Sequence, residues 1–124
     1  MLKKMLKKRK GFTLTELIVV VTILGVLTAI AVPLLTSYIG DSEKSADNSN
    51  AKVIEGVVKR AAAKRTLTLN ASLTGSAVVT VVESELGSVP NCQQADFEFY
   101  VKQVTGEVQA SEAAPEATGW VAVE

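Results

Sequence analysis

Few residues of this sequence are of the types that carry out chemistry. The chain of 124 residues has no histidine, and its single cysteine, Cys92, is most simply interpreted as a small residue near a loop. Two Thr-Gly pairs, Thr74-Gly75 and Thr105-Gly106, are typical of turns and not of nucleotide-binding loops. The sequence therefore predicts no catalytic residue, no metal site and no cofactor, and it argues against an enzyme.

One carboxylate lies in an unusual place. Glu16 is near the start of the apolar stretch KGFTLTELIVVVTILGVLTAIAVP, which runs from Lys10 to Pro33. A charged side chain at the centre of a membrane helix costs about 2.5 to 3.5 kcal/mol, so a carboxylate in such a stretch indicates a function. The chemistry open to Glu16 is ion pairing, and its partner has to be found elsewhere.

The apolar stretch is long enough to cross a membrane. The run from Leu17 to Ile39 has no charged residue. As a helix, its most apolar part, up to Leu35, would extend about 28 Å, close to the ~30 Å thickness of the hydrocarbon layer. Six of the 13 basic residues lie in the first ten positions, which places the N-terminus in the cytoplasm. The remainder of the chain is acidic and argues against a general nucleic-acid binder.

Three interpretations of this segment compete. A plain membrane anchor explains its length and orientation but leaves Glu16 unexplained. A secretory signal would be cut after the small residues Ala29-Ile30-Ala31, but Pro33 would then lie two residues into the new chain. The third interpretation is a cut after Gly11. A glycine lets a protease hold the backbone closely, and this cut removes the basic block while it keeps the apolar helix.

The stretch from Lys10 to Pro33 resembles the N-terminus of type IV pilins and related pseudopilins. The shared features are a basic leader, a glycine followed by a phenylalanine, a glutamate four residues beyond the phenylalanine, and an apolar helix with a proline near its end. The resemblance covers residues 1 to about 40. It implies a structural subunit of a pilus-like filament, or alternatively a pseudopilin of a secretion or DNA-uptake machine. A single-pass anchored binding domain that never polymerises is the alternative from another class.

The resemblance also implies how the segment is processed and used. A membrane-embedded peptidase would cut between Gly11 and Phe12 and methylate the new amino group of Phe12. Glu16 of an incoming subunit would then meet the Phe12 ammonium of a neighbour. Gly25 and Pro33 would let the helix lose structure locally inside the filament; the alternative for these two residues is an ordinary kinked membrane helix.

The same resemblance implies partners and a location. The partners are other copies of the chain, the prepilin peptidase, the membrane before assembly, and an assembly platform with its ATPase. The precursor would lie in the inner membrane as a single-pass protein, and the filament would be extracellular.

The predicted domain order follows from these segments. Residues 1–11 form the leader, residues 12–39 the membrane and filament-core helix, residues 40–65 the amphipathic second half of that helix, and residues 66–124 a small globular head.

Gly40, followed by Asp41 and Ser42, predicts a break or bend at the membrane boundary. In the second half, one apolar face is predicted from three- and four-residue spacings: Ala46, Val53, Ile54, Val57, Val58, Ala61 and Ala62.

The first part of the head is ambiguous. The segment from Ala77 to Glu85 suits either a strand or a short helix capped by Ser76. The Gly87 and Pro90 that follow favour the helix.

The rest of the head predicts a sheet. Phe97, Phe99 and Val101 alternate with polar residues and predict a strand; a second strand follows near residues 107–110, and the segment GWVAV adds a third. Neither a small sheet nor an amphipathic helix can bury its apolar face alone. The predicted fold class is therefore α+β, with a long N-terminal helix packed on a small C-terminal antiparallel β-sheet.

Overall fold

A computed structural model of the protein describes residues 11–123. The predicted leader, apart from Gly11, lies outside the described residues. The elements in chain order are α1 (Leu14–Ala63), α2 (Gly75–Leu86), β1 (Glu98–Lys102), β2 (Val108–Ser111) and β3 (Trp120–Ala122). The chain divides into two compact units, the first ending at Tyr38 and the second beginning at Ile39. The predicted α+β class, with a long first helix and a small antiparallel sheet, is confirmed.

Helix α1 runs without interruption through the predicted break. Gly40, Asp41 and Ser42 are all helical, so the expectation of a break there was wrong. A glycine inside a helix costs only about 1 kcal/mol relative to alanine. That cost is too small to end a helix whose neighbouring turns are well formed on both sides.

The end of α1 is set by a residue in the left-handed conformation. Arg65 has φ 58°, its N–H donates to the carbonyl of Ala62 at 3.0 Å, and the N–H of Thr66 donates to the carbonyl of Ala61 at 3.0 Å. This pair of bonds is the Schellman motif, which satisfies carbonyls that the helix itself leaves unpaired. The basic residues near this end also complement the negative end of the helix dipole.

The core of the second unit is built mainly from small aliphatic side chains. Both helices, the sheet and the segments between them contribute buried residues: Ala51, Ile54, Val57, Val58, Ala61, Leu67, Leu73, Val78, Val82, Phe99, Val101, Val108 and Val123. The predicted apolar face of α1 is therefore largely right. Val53 was misplaced, because it is 47% exposed, and the fully buried Asp47 was not foreseen.

Helix α2 is confirmed, with a different cap from the one predicted. Thr74, not Ser76, is the N-cap residue, and its side chain accepts a hydrogen bond from the N–H of Ala77. Gly87 ends the helix with φ 83°, in the left-handed region where glycine has no steric penalty. Glu85 joins α2 to α1, because its carboxylate lies within 3.3 Å of Arg60 and 3.1 Å of Lys64.

The sheet has the strand order β2-β1-β3, and both pairings are antiparallel. Phe99 and Val101 of β1 are buried as the alternation predicted. Tyr100, on the opposite face of the strand, is also buried. The central strand therefore loses solvent contact on both faces.

Glu55 of α1 lies beside the start of β2. Its carboxylate accepts hydrogen bonds from Lys59, from Lys52 at 3.2 Å and from the N–H of Val108 at 3.5 Å. The bond from Lys59 has the largest effect and, against the opposing effect of burial, these contacts lower the pKa of Glu55 to about 2. Glu55 thus remains ionised at neutral pH and connects the helix to the sheet.

Among the glycines of residues 11–123, Gly75 has the least room for a side chain. A Cβ atom at this position would lie 1.9 Å from the carbonyl oxygen of Ala122 in β3. We expect Gly75→Ala to lower the free energy of unfolding by about 1 to 3 kcal/mol, because the first turn of α2 must move away from β3. Thermal unfolding of the second unit, followed by circular dichroism, measures the change.

Gly56→Ala is the matched control. Gly56 lies inside α1, and an added Cβ there meets no atom of the described residues within 4 Å. Because alanine has the higher helix propensity, this variant should be neutral or more stable by up to about 1 kcal/mol. Equal stability of the two variants would contradict the close approach at Gly75.

Candidate functional site

The carboxylate of Glu16 caps the start of helix α1. Glu16 Oε2 accepts a hydrogen bond from the backbone N–H of Thr13 at 2.8 Å and another from the Thr13 hydroxyl at 2.8 Å. In return, the N–H of Glu16 donates to Thr13 Oγ1 at 3.2 Å. Since the helix begins at Leu14, Thr13 is the N-cap residue and Glu16 is the third helical residue. This reciprocal pair is a capping box.

The capping box gives Glu16 a role inside a single chain. The first N–H groups of a helix have no partner within the helix, and the positive end of the helix dipole favours a negative charge nearby. Thr13 was not among the predicted site residues. The signal that would have found it is local, because a threonine three residues before a glutamate, ahead of an apolar run, is the sequence pattern of this motif.

Gly11 and Phe12 precede the helix and have no regular secondary structure. Phe12 is 89% exposed. A Cβ added at Gly11 would meet no atom of the described residues within 4 Å. The fold of the described residues therefore does not require a glycine at this position, and the bond between Gly11 and Phe12 is sterically open.

The apolar part of α1 presents its side chains outward on every side. All residues of α1 up to Ile39 are exposed, and the helix is long and apolar enough to cross a membrane. Three of its threonine hydroxyls donate to carbonyls of the preceding turn: Thr22 to Ile18 at 2.8 Å, Thr28 to Leu24 at 2.8 Å and Thr36 to Pro33 at 2.9 Å. Such internal pairing is what a helix surrounded by hydrocarbon requires.

Gly25 and Pro33 are both helical in this structure. Proline has no N–H, so the hydrogen bond from residue 33 to the carbonyl of Ala29 is missing. The two residues lie in the same exposed apolar stretch as Glu16 but two or more turns further along. Their predicted role in local unwinding stays a prediction.

The sequence comparisons agree with the geometry of this segment. Residues 6–32 match the family model of the prokaryotic N-terminal methylation motif. The type IV major fimbrial protein FimA of Dichelobacter nodosus is 54% identical over 37 residues, which are 30% of this chain and 24% of the relative. The N-terminal segment is therefore similar to that of type IV fimbrial proteins. A second FimA sequence from the same organism aligns with the same identity and coverage.

The match is confined to this N-terminal segment. It spans about a quarter of the length of the FimA relatives, and no solved structure matches the chain.

The relatives are described as fimbrial proteins, which form a structural class and not a class of enzymes. Among residues 11–123, no three or more His, Cys, Asp or Glu side chains come together in a way that could hold a metal ion.

The capping box leads to a prediction about Thr13. Thr13→Val keeps the backbone donor to Glu16 but removes the hydroxyl that accepts from the Glu16 N–H. Loss of an N-cap oxygen costs about 1 kcal/mol, so the amide of Glu16 should exchange with solvent about fivefold faster. Amide exchange measured by NMR on the full chain in detergent micelles tests this, with Thr15→Val as the control. Equal exchange in both variants would contradict the capping box.

Proposed function

We propose that this protein is a structural subunit of an extracellular type IV pilus-like filament. The subunit is made as a single-pass membrane precursor with its N-terminus in the cytoplasm, cut between Gly11 and Phe12, and polymerised through the apolar half of α1. The cluster of basic residues ahead of the helix supports this orientation. The fimbrial relatives and the match to the methylation motif support the class of assembly.

The observation that carries the proposal is a carboxylate held at the first turn of a helix whose first half, up to Ile39, is exposed and carries no other charged residue. A soluble protein gains nothing from such a helix, and a plain anchor does not need its glutamate. After the cut, Phe12 carries an ammonium group four residues before Glu16. Glu16 Oε2 is engaged by Thr13, whereas Oε1 has no hydrogen-bond donor among the described residues. Oε1 is therefore free to accept from the Phe12 ammonium of a neighbouring subunit.

The remaining roles follow from this mechanism. A prepilin peptidase cuts the chain and methylates Phe12, and an assembly platform with its ATPase moves the subunit from the membrane into the filament. In the filament, Gly25 and Pro33 let α1 unwind locally, because proline has already removed one helical hydrogen bond. Contact with nucleic acid is not part of the proposal.

Cutting after Gly11 is the first prediction of this function. Mass spectrometry of envelope-bound protein should find a chain that begins at Phe12 with a methylated amino group. Gly11→Val should accumulate as uncut precursor, because its branched side chain obstructs close approach of the peptidase to the backbone. The matched control is Gly25→Ala, which should be cut normally.

Two results would contradict this processing. A chain beginning at Val32 would establish a secretory signal in place of a pilin leader. Normal cutting of Gly11→Val would show that the glycine is not required by the peptidase.

The second prediction concerns the charge of Glu16. Glu16→Val should be inserted and cut as well as the original chain but form few or no filaments as the only subunit. Removal of one partner of a buried ion pair typically costs about 3 to 5 kcal/mol, and this cost recurs at every joint of the polymer. Glu16→Asp keeps the charge with a shorter reach and should give an intermediate yield. The measurement is the ratio of sheared to cell-retained mature protein at equal expression.

Glu16→Gln separates the ion pair from the helix cap. A glutamine at this position can still serve in a capping box but has no charge. If the ammonium is the partner, this variant should fail to form filaments as the valine variant does. Filament formation by Glu16→Gln at the original level would reduce Glu16 to a helix cap.

The same shearing experiment on the original chain separates the alternative functions. Short assemblies retained in the envelope would support a pseudopilin, and sheared material that remains monomeric would support an anchored binding domain.

A further inference from the structure

Asp47 is a buried carboxylate in the second unit of the chain. It lies on α1 and is 0% exposed. Its Oδ1 accepts from the N–H of Gln93 at 2.7 Å, and its Oδ2 accepts from the N–H of Gln94 at 3.1 Å and from the Gln94 side-chain amide at 3.0 Å. Both oxygens are therefore paired, and the donors come from residues 46 and 47 positions further along the chain.

The donors belong to the segment 88–97, which connects α2 to β1 and contains no helix or strand. The hydrogen bonds within this segment join residues close in sequence and have long donor–acceptor distances. An example is the bond from the N–H of Phe97 to the carbonyl of Gln94 at 3.4 Å. Val89 and Cys92 of this segment pack against the core. Asp47 thus provides strong polar contacts that join the middle of an irregular segment to the helix.

Asp47 holds the segment as an anion. Burial by itself raises the pKa of Asp47, but the hydrogen bonds from Gln93 and Gln94 outweigh it and hold the pKa below its usual range. Bonds to an ionised acceptor are stronger than bonds between neutral groups. An asparagine of the same size would offer one acceptor oxygen and would turn an NH₂ group toward donors.

Cys92 lies immediately before the two donor residues. It is the single cysteine of the chain and is partly buried. Burial, followed by the negative charges of Asp47 and Glu98, raises the pKa of the Cys92 thiol to about 11. The thiol is therefore protonated at neutral pH.

We propose that Asp47, Gln93 and Gln94 form a clasp that holds the segment 88–97 against the core and thereby shields the Cys92 thiol from solvent reagents. Release of the clasp opens this segment locally while the helices and sheet stay folded. The clasp is independent of the proposed polymerisation, since none of its residues lies in the apolar half of α1.

The test uses the full chain in detergent micelles and measures how fast Cys92 reacts with iodoacetamide at pH 8. Asp47→Asn should react at least about tenfold faster than the original chain, because the segment opens and because loss of the Asp47 charge lowers the pKa of the thiol. Asp41→Asn is the matched control, because Asp41 lies on the same helix and is exposed; its rate should equal that of the original chain.

Gln94→Ala separates access to the thiol from its acidity. This variant removes one donor but keeps the charge of Asp47, so faster labelling reports opening of the segment and not a lower thiol pKa. We expect an increase of about two- to fourfold, since one of three bonds is lost. This variant also tests the clasp if Asp47→Asn does not fold.

Two results would overturn the clasp. One is labelling of Gln94→Ala at the original rate, because any acceleration in Asp47→Asn would then come from the lower pKa of the thiol. The other result concerns Val82→Ala, a core variant that keeps all three clasp residues. If it lowers the melting temperature as much as Asp47→Asn does and accelerates labelling equally, Cys92 reacts through global unfolding. Faster amide exchange confined to residues 88–97 in Asp47→Asn would support the clasp.

Discussion

The first turn of α1 has to satisfy its own hydrogen bonds. A helix leaves its first N–H groups unpaired, and in a membrane no water is present to replace the missing partners. Thr13 and Glu16 meet this need by bonding to each other. The proposed insertion, cutting and assembly all involve this turn, so they depend on an arrangement that a single chain makes before it meets any partner.

The cap and the proposed ion pair make compatible demands on Glu16. An N-cap contributes about 1 kcal/mol, whereas an unpaired buried charge costs about 3 to 5 kcal/mol, so the ammonium would prevail if the two competed for one oxygen. They need not compete, because Thr13 uses only Oε2. The cap then restricts the carboxylate to one side of the helix start, which lowers the entropy cost of forming the pair.

The sequence predicted those features that depend on neighbouring residues. Helix α1, the buried Phe99 and Val101, and the glycine that ends α2 follow from periodicity and turn chemistry. The capping box was also accessible from the sequence, since its two residues lie three positions apart. Asp47 was not accessible, because its donors come from a segment of irregular structure far along the chain. Charged residues are rarely buried unless such donors exist, and periodicity does not reveal donors.

The two carboxylates of α1 show how similar bonding leads to different roles. Neither Glu16 nor Asp47 forms an ion pair with a basic side chain of the described residues. Glu16 is held by one backbone N–H and one hydroxyl, and Asp47 by two backbone N–H groups and one side-chain amide. At Asp47 both oxygens are paired and the group is fully buried, so it can do no more than hold the segment around it. At Glu16 one oxygen is paired and the group is exposed, so its charge is still available to a cation. The number of paired oxygens therefore separates the carboxylate that holds a segment of this fold from the carboxylate that we propose joins one chain to the next.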